Sequence, residues 1–357
     1  MIGPRPAFQP ADAHPSSAAP LDERAPAKHP IASRSGKATI VATLIPVVVL
    51  FALCVGSSHL QVGAVIHSLV HPGERGIAQT IVWQLRMPRI VLALLVGGGL
   101  GVAGAALQSL FRNALVDPYI TGVSGGAALA AAAGFSLGAP FVLIPAAAFG
   151  GGLACAAIVA LVAGNEAANG NLRIVLVGVA LSALCSAVVT LVLLHGGPNG
   201  GLSLLAWLAG GINGRSWADV GWCAAYLGAG VAALLTQVHA LNALRLGTVA
   251  AAGFGLRVEP ARWKILASTA TVTAACVAVS GVVGFVGLMV PHAARKLVGG
   301  DARWLLTASA LCGAVLVVIA DTAARTVMAP AEVPLGVLLA FVGIPFFLWL
   351  TRRPVAV

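Results

Sequence analysis

A charge inside an apolar stretch is costly unless it has a partner or a task, so ionisable residues within such stretches are the first candidates for chemistry. This chain has few. Asp321 precedes Arg325 by four residues at the end of an apolar run, which would place both on one helical face. The pair reads either as an intrahelical ion pair or as a working site. Four histidines (His59, His67, His71, His195) flank the apolar runs, and imidazole is a common haem and metal ligand. Three of them lie at irregular spacing in one loop, which suits solvated side chains better than a ligand set. Ser-Gly-Lys-Ala at 35–38 lacks the upstream glycine and the following Ser/Thr of a P-loop. There is no HExxH, no catalytic carboxylate pair and no nucleophile elbow. All six cysteines sit in apolar segments without a CxxC pair and read as small buried hydrophobes. The residues therefore point to no catalytic centre and no metal site.

The elements that would position these groups are membrane spans. Hydrophobic residues make up 59% of the 357, charged residues only 9%, and mean hydropathy is +0.96. A soluble domain carries about 25% charged residues, so most of this exterior must face lipid. A span needs about 20 mostly apolar residues. Ten runs qualify, near 38–57, 89–111, 119–137, 140–163, 173–195, 217–239, 263–281, 284–298, 304–324 and 334–351. The eighth is short and follows the seventh almost without a turn. Arg262 and Lys264 before this stretch, and Arg295 and Lys296 after it, require a hairpin between if both ends face the cytoplasm. With the N-terminus inside, all lysines (Lys28, Lys37, Lys264, Lys296) are cytoplasmic, and Arg75, Arg86, Arg89, Arg215 and Arg325 lie outside. That distribution obeys the positive-inside rule. The net charge of +10 thus belongs to loops and not to a nucleic-acid surface. Residues 1–37, with seven prolines, read as a disordered cytoplasmic tail, without the pattern of a signal peptide.

Small residues mark close helix contacts. Gly97 and Gly101 lie four apart, as do Gly122 and Gly126. Arg89–Gly104, ending Gly-Val-Ala-Gly, is echoed by Arg262–Gly281, ending Ala-Val-Ser-Gly. The two copies would start on opposite sides of the membrane, a weak inverted repeat of the kind found in transporters.

Several blocks resemble one family, the FecCD-type permeases of type II ABC importers for iron–siderophore complexes, haem and vitamin B12. They are Arg-Met-Pro-Arg (86–89), the glycine-rich run 94–108, Arg-Asn-Ala-Leu-Val-Asp-Pro (112–118) and Thr-Gly-Val-Ser-Gly-Gly-Ala (121–127). Gly-Phe-Val-Gly-Leu-Met-Val-Pro-His-Ala-Ala-Arg (284–295), Ala-Asp-Thr-Ala-Ala-Arg (320–325), Glu-Val-Pro-Leu-Gly-Val (332–337) and Val-Gly-Ile-Pro-Phe-Phe-Leu-Trp-Leu (342–350) follow in the family's order. The resemblance implies an all-α, ten-helix polytopic bundle over 38–353, acting as a homodimer or pseudo-dimer in the bacterial inner membrane with both termini cytoplasmic. Cytoplasmic ATPase subunits, a periplasmic substrate-binding protein and a second permease subunit would be its partners. The chain itself would bind no cofactor, because ATP and Mg would be used by the partner ATPase.

Family roles transfer by position. Arg86, Arg89 and Arg325 match arginines that dock the binding protein, expected here as exposed charges on the outer face. Asn113, Leu115, Asn171 and Leu172 match the cytoplasmic gate. A coupling segment at 245–260 would seat on the ATPase through Ala251, Gly253, Phe254, Gly255, Leu256 and Arg257. Two departures stand out: Asn-Ala-Leu-Val (113–116) replaces the family's Asn-Pro-Leu-Ala, removing a kink, and Thr248 stands where glutamate is common. The segment 206–217 resembles the iron–siderophore branch, with haem second and vitamin B12 third. A stand-alone secondary transporter would need mid-membrane coupling carboxylates, which the spans lack.

Overall fold

The computed structural model describes Gly3 and residues 31–56, 60–73, 76–164, 170–195 and 198–352. Most of the expected tail, together with His59 and Arg75, lies outside the described residues, and so does the side chain of Asn171. Among the described residues every regular element is helical. In order they are α1 (Ile31–Cys54), α2 (Val62–Val70), α3 (Ile77–Thr80), α4 (Met87–Phe111), α5 (Val123–Ser136), α6 (Ile144–Ala163), α7 (Gly170–His195) and α8 (Pro198–Leu208). Then come α9 (Trp217–Thr236), α10 (Val238–Arg245), α11 (Thr248–Gly253), α12 (Val258–Ser280), α13 (Val286–Val298), α14 (Ala302–Ala324) and α15 (Leu335–Thr351).

Each of the ten apolar runs coincides with a helix. Seven described helical runs are long and apolar enough to cross a membrane. The other three fall on α5, α13 and α15, which are shorter. The second run is longer than its sequence suggests: α3, a π-helical turn at Ile81–Arg86 and α4 form one helical stretch of 35 residues. Pro88 lies well inside that stretch, where its missing N–H leaves a helix bond unmade, and the π-helical turn just before it is the local adjustment that carries the helix past it.

The bundle is built around α4. From Leu100 to Leu110 every one of its residues is buried, the pattern of a helix enclosed by protein on all sides. Glycine is what lets neighbours approach. A Cβ on Gly97 would lie 2.1 Å from the Gly313 carbonyl oxygen of α14, one on Gly101 2.4 Å from that of Ser309, and one on Gly104 2.0 Å from that of Gly287 in α13. The backbones therefore touch directly. In α5, Gly126 meets the Gly151 carbonyl of α6 in the same way. The two segments of the internal echo become α4 and α12, the most deeply buried of the long helices, whereas in α1, α6, α7 and α9 only a minority of residues are buried.

Between α12 and α13 the helix is broken at 281–285, at the hairpin the charge pattern requires. Its backbone groups are met by protein. Tyr119 donates its hydroxyl to the Val283 carbonyl at 2.7 Å and accepts the Val283 N–H at 3.0 Å. The loop at 209–216 joins the same region, with Gly211 N–H donating to Ser280 O at 2.8 Å and Gly336 N–H to Gly210 O at 3.4 Å. Irregular backbone survives at membrane depth only when it is enclosed and satisfied like this.

The Gly104 contact gives the first prediction. Gly104→Val drives side-chain atoms into the α13 backbone and is expected to destabilise by more than about 2 kcal/mol, read as a lower melting temperature in detergent. Gly228→Ala, in α9 with nothing within 4 Å of its added carbon, is expected to leave melting unchanged or slightly raised.

Candidate functional site

Two groups of residues occupy opposite ends of α4, about 37 Å apart for 25 residues at 1.5 Å each. At its start lie Arg86 and Arg89, beside Arg325 at the end of α14. The expectation of exposed charges is corrected here: Arg86 is 5% exposed and Arg325 4%. The reason is α1. A helix ends with carbonyls that have no intrahelical partner and carries a partial negative charge there. Arg86 Nη1 donates to Leu53 O and Arg325 Nη2 to Ala52 O at 2.6 Å, both in the last turn of α1. Two of the three arginines thus cap a helix.

Arg89 is held differently. Asp321 accepts from Nε at 3.0 and 3.1 Å and from Nη2 at 3.0 Å, while both carboxylate oxygens of Glu332 lie 3.0 Å from Nη1. Asp321, 2% exposed, therefore makes its close contacts across helices to Arg89, and its intrahelical partner Arg325 is further away at 3.9 Å. Glu332 escapes a sequence reading because 243 residues separate it from Arg89. Removing one member of a buried pair such as Arg89–Asp321 typically costs about 3–5 kcal/mol.

At the far end α4 stops at Arg112, whose φ of +52° is in the left-handed region that few side chains adopt. The chain turns sharply there although Ala114 replaces the family's proline. Asn113 Oδ1 accepts the Leu115 N–H at 2.9 Å, closing a small turn of the type Asn favours. Buried Gln108 ties the turn to α13, donating to Val116 O, Gly287 O and Leu288 O at 3.3–3.4 Å. Asn113 and Leu115 are exposed, as is Leu172 on the first turn of α7. The close approach of α7 to this connection is at Gly178, which faces the Ile120 carbonyl, six residues beyond Leu172.

Asp117 accepts the Tyr119 N–H at 2.9 Å and starts the 3-10 turn Pro118–Thr121. Burial pushes its carboxyl up to about 6, partly offset by that bond.

The segment 245–260 is a short helix between two turns. Arg112 Nη1 reaches to the edge of Gly247, whose φ is +109°, and Gly255 has φ +79°. Between them α11 and the residue that caps it present apolar side chains outward: Val249 is 87% exposed and Phe254 73%. Leu246 is exposed too. Of the expected contact residues, Gly253, Phe254, Gly255 and Arg257 are exposed and Leu256 is half-buried. Ala251 is fully buried, so it anchors the helix and cannot itself meet a partner. Leu246 and Val249 were not singled out by sequence. Their signal was present, as large apolar residues in a loop bounded by Arg245 and Arg257.

At the arginine end of the molecule, the His67 and His71 rings stack with centroids 4.5 Å apart, and His195 Nδ1 lies 2.9 Å from Leu191 O. No group of three or more His, Cys, Asp or Glu that could hold a metal occurs among the described residues.

The FecCD transport family profile matches residues 44–353. The chain is 35% identical over 327 residues to the Fe(3+)-citrate import system permease protein YfmE of Bacillus subtilis, covering 90% of this chain and 97% of that one. It is 36% identical over 316 residues to the hemin transport system permease protein HmuU of Yersinia pestis, covering 86% and 93%. The vitamin B12 import permease BtuC of Vibrio cholerae is 38% identical, covering 78% and 84%. A solved metal-chelate type ABC transporter in an inward-facing conformation superposes with a TM-score of 0.81 at 30% identity, covering 90% of this chain and 100% of that one.

Asp117 yields a pH prediction. Its folded pKa lies above the unfolded value, so the folded chain holds this proton more tightly. The stability it contributes is complete below about pH 4 and is lost as pH rises through about 6. Asp117→Asn keeps a capping oxygen without the charge. It is expected to melt about 2–4 °C higher than wild type at pH 7.5, with the difference shrinking below pH 6 and vanishing below about pH 4, in thermal melts of the purified protein.

Proposed function

The chain belongs to the FecCD transport family, and from that premise we propose that it is the transmembrane subunit of an ATP-driven importer carrying an iron(III)–siderophore complex across a bacterial inner membrane. The observation that carries this reading is the apolar lever α11. Large apolar side chains exposed beyond the end of a buried bundle call for a protein partner. A cytoplasmic ATPase subunit is the partner that suits them, with ATP and Mg used there and no cofactor on this chain. N- and C-termini would then face the cytoplasm, and the lever with them.

At the opposite end, the cluster of Arg86, Arg89 and Arg325 would dock a periplasmic binding protein through acidic side chains. The arginines' summed charge would act mainly on encounter rate and register. Arg86 and Arg325 contribute positive field from below while capping α1, and Arg89 offers the hydrogen bonds. Two permease copies would enclose the pathway, with Asn113, Leu115, Asn171 and Leu172 narrowing its cytoplasmic end. The permease makes and breaks no covalent bond; it alternates access as its partners cycle. Haem is the second reading for the substrate, favoured by the stacked His67–His71 pair at the arginine end and by similarity to a hemin permease. Vitamin B12 is the third.

Reconstitution tests this. Proteoliposomes containing the chain, its ATPase and an iron(III)–siderophore-loaded binding protein are expected to import the chelate only with ATP. Val249→Ala combined with Phe254→Ala should lower uptake about tenfold or more, since apolar anchors dominate such interfaces, while the permease stays folded. Regulated transport by the chain alone would instead identify a secondary transporter, and preferential uptake of haem or cobalamin would reassign the substrate.

A further inference from the structure

A guanidinium has two usable ends, and in Arg89 both are occupied from within the chain. Asp321 takes Nε and Nη2 as a fork and is sealed from solvent. Glu332 takes Nη1 alone. It lies on the connection between α14 and α15, outside any helix, with its side chain 31% exposed. The first carboxylate fixes the arginine's orientation and cannot be reached. The second can swing away without disturbing a helix.

Resting on the docking reading above, we infer that Glu332 is a built-in occupant of the docking site, holding Nη1 of Arg89 until a carboxylate of the carrier takes its place. Exchange of one carboxylate for another leaves no buried donor unpaired, which is the costly alternative. A partner that offers only apolar or neutral groups cannot make that exchange, so Glu332 discriminates by repulsion and competition as well as by fit. It also sets the charge of the site. Arg86, Arg89 and Arg325 against Asp321 and Glu332 give three positive and two negative charges, a net +1. Without the Glu332 charge the net is +2. The resident carboxylate thereby weakens the field that draws in an acidic carrier, and it is ready to reclaim Arg89 when the carrier leaves. Asp321 is a positioning residue in this scheme.

The test uses the full chain with its ATPase in nanodiscs and the substrate-binding protein of the same transport system as the probe. Glu332→Gln is expected to raise the association rate about three- to tenfold at low salt, with a steeper decline as salt is added. Asp321→Asn is expected to weaken docking, although it too removes a negative charge. A plain field effect would strengthen docking in both, and that outcome overturns the exchange. A second readout leaves Glu332 intact: a nitroxide on Ala331→Cys is expected to change mobility when the carrier docks. An unchanged spectrum, or Glu332→Gln docking no faster than wild type, also overturns it. Arg89→Gln separates the two levels. If it weakens docking while Glu332→Gln changes nothing, the exchange is wrong and the docking site stands. If it leaves docking intact, the docking reading itself fails.

Discussion

Direct backbone contact along α4 is the constraint from which the rest of the structure follows. Where Gly97, Gly101 and Gly104 meet the carbonyls of Gly313, Ser309 and Gly287, there is no side-chain layer to deform. Lipid offers no hydrophobic drive for one helix to prefer another, so close packing of this kind decides which helices associate. It also makes α4 a fixed reference. Its start carries Arg86, the residue before its first turn, and Arg89, and its end carries Gln108 and the left-handed Arg112 just beyond its last turn, beside Gly247. The spacing between the arginine cluster and the α11 end is therefore the length of one helix, enclosed on all sides from Leu100 to Leu110.

The same enclosure permits the broken backbone around 281–285. An interrupted helix exposes N–H and C=O groups that lipid cannot satisfy. Here Tyr119 serves both groups of Val283, and Gly211 donates to the Ser280 carbonyl at the end of α12, while Gln108 ties the first turn of α13 to Val116.

Much of this was legible in advance, and the division has a physical basis. Helices that face lipid need unbroken apolar stretches, so ten runs in the sequence could be matched to ten helices. The glycine spacing at 97 and 101 marked a real contact, because only small residues allow that approach. Pairing across the chain was not legible. Arg89 meets Asp321 at a separation of 232 residues, and nothing in local pattern says that a neighbouring helix end will bury Arg86 and Arg325. The short helices α2, α3, α8 and α10 were missed as well, since they lack the length at which apolarity becomes a signal. Ala251 illustrates the same limit: a coupling segment can be recognised from sequence, but which of its faces is anchored depends on what it packs against.

On the proposed function, these facts restrict how the two ends can communicate. A helix locked by its backbone at three places transmits motion by moving as a body with its neighbours, not by bending between them. The buried long helices α4, α12 and α14 share that core, while in α1, α6, α7 and α9 only a minority of residues are buried. Under that reading alternating access would move these outer helices relative to the core. The lever would be α11, bounded by the left-handed Gly247 and Gly255 and anchored inward by Ala251. A push on Val249 and Phe254 would be delivered to the start of α12 and the end of α10, and would reach the arginine cluster along α4.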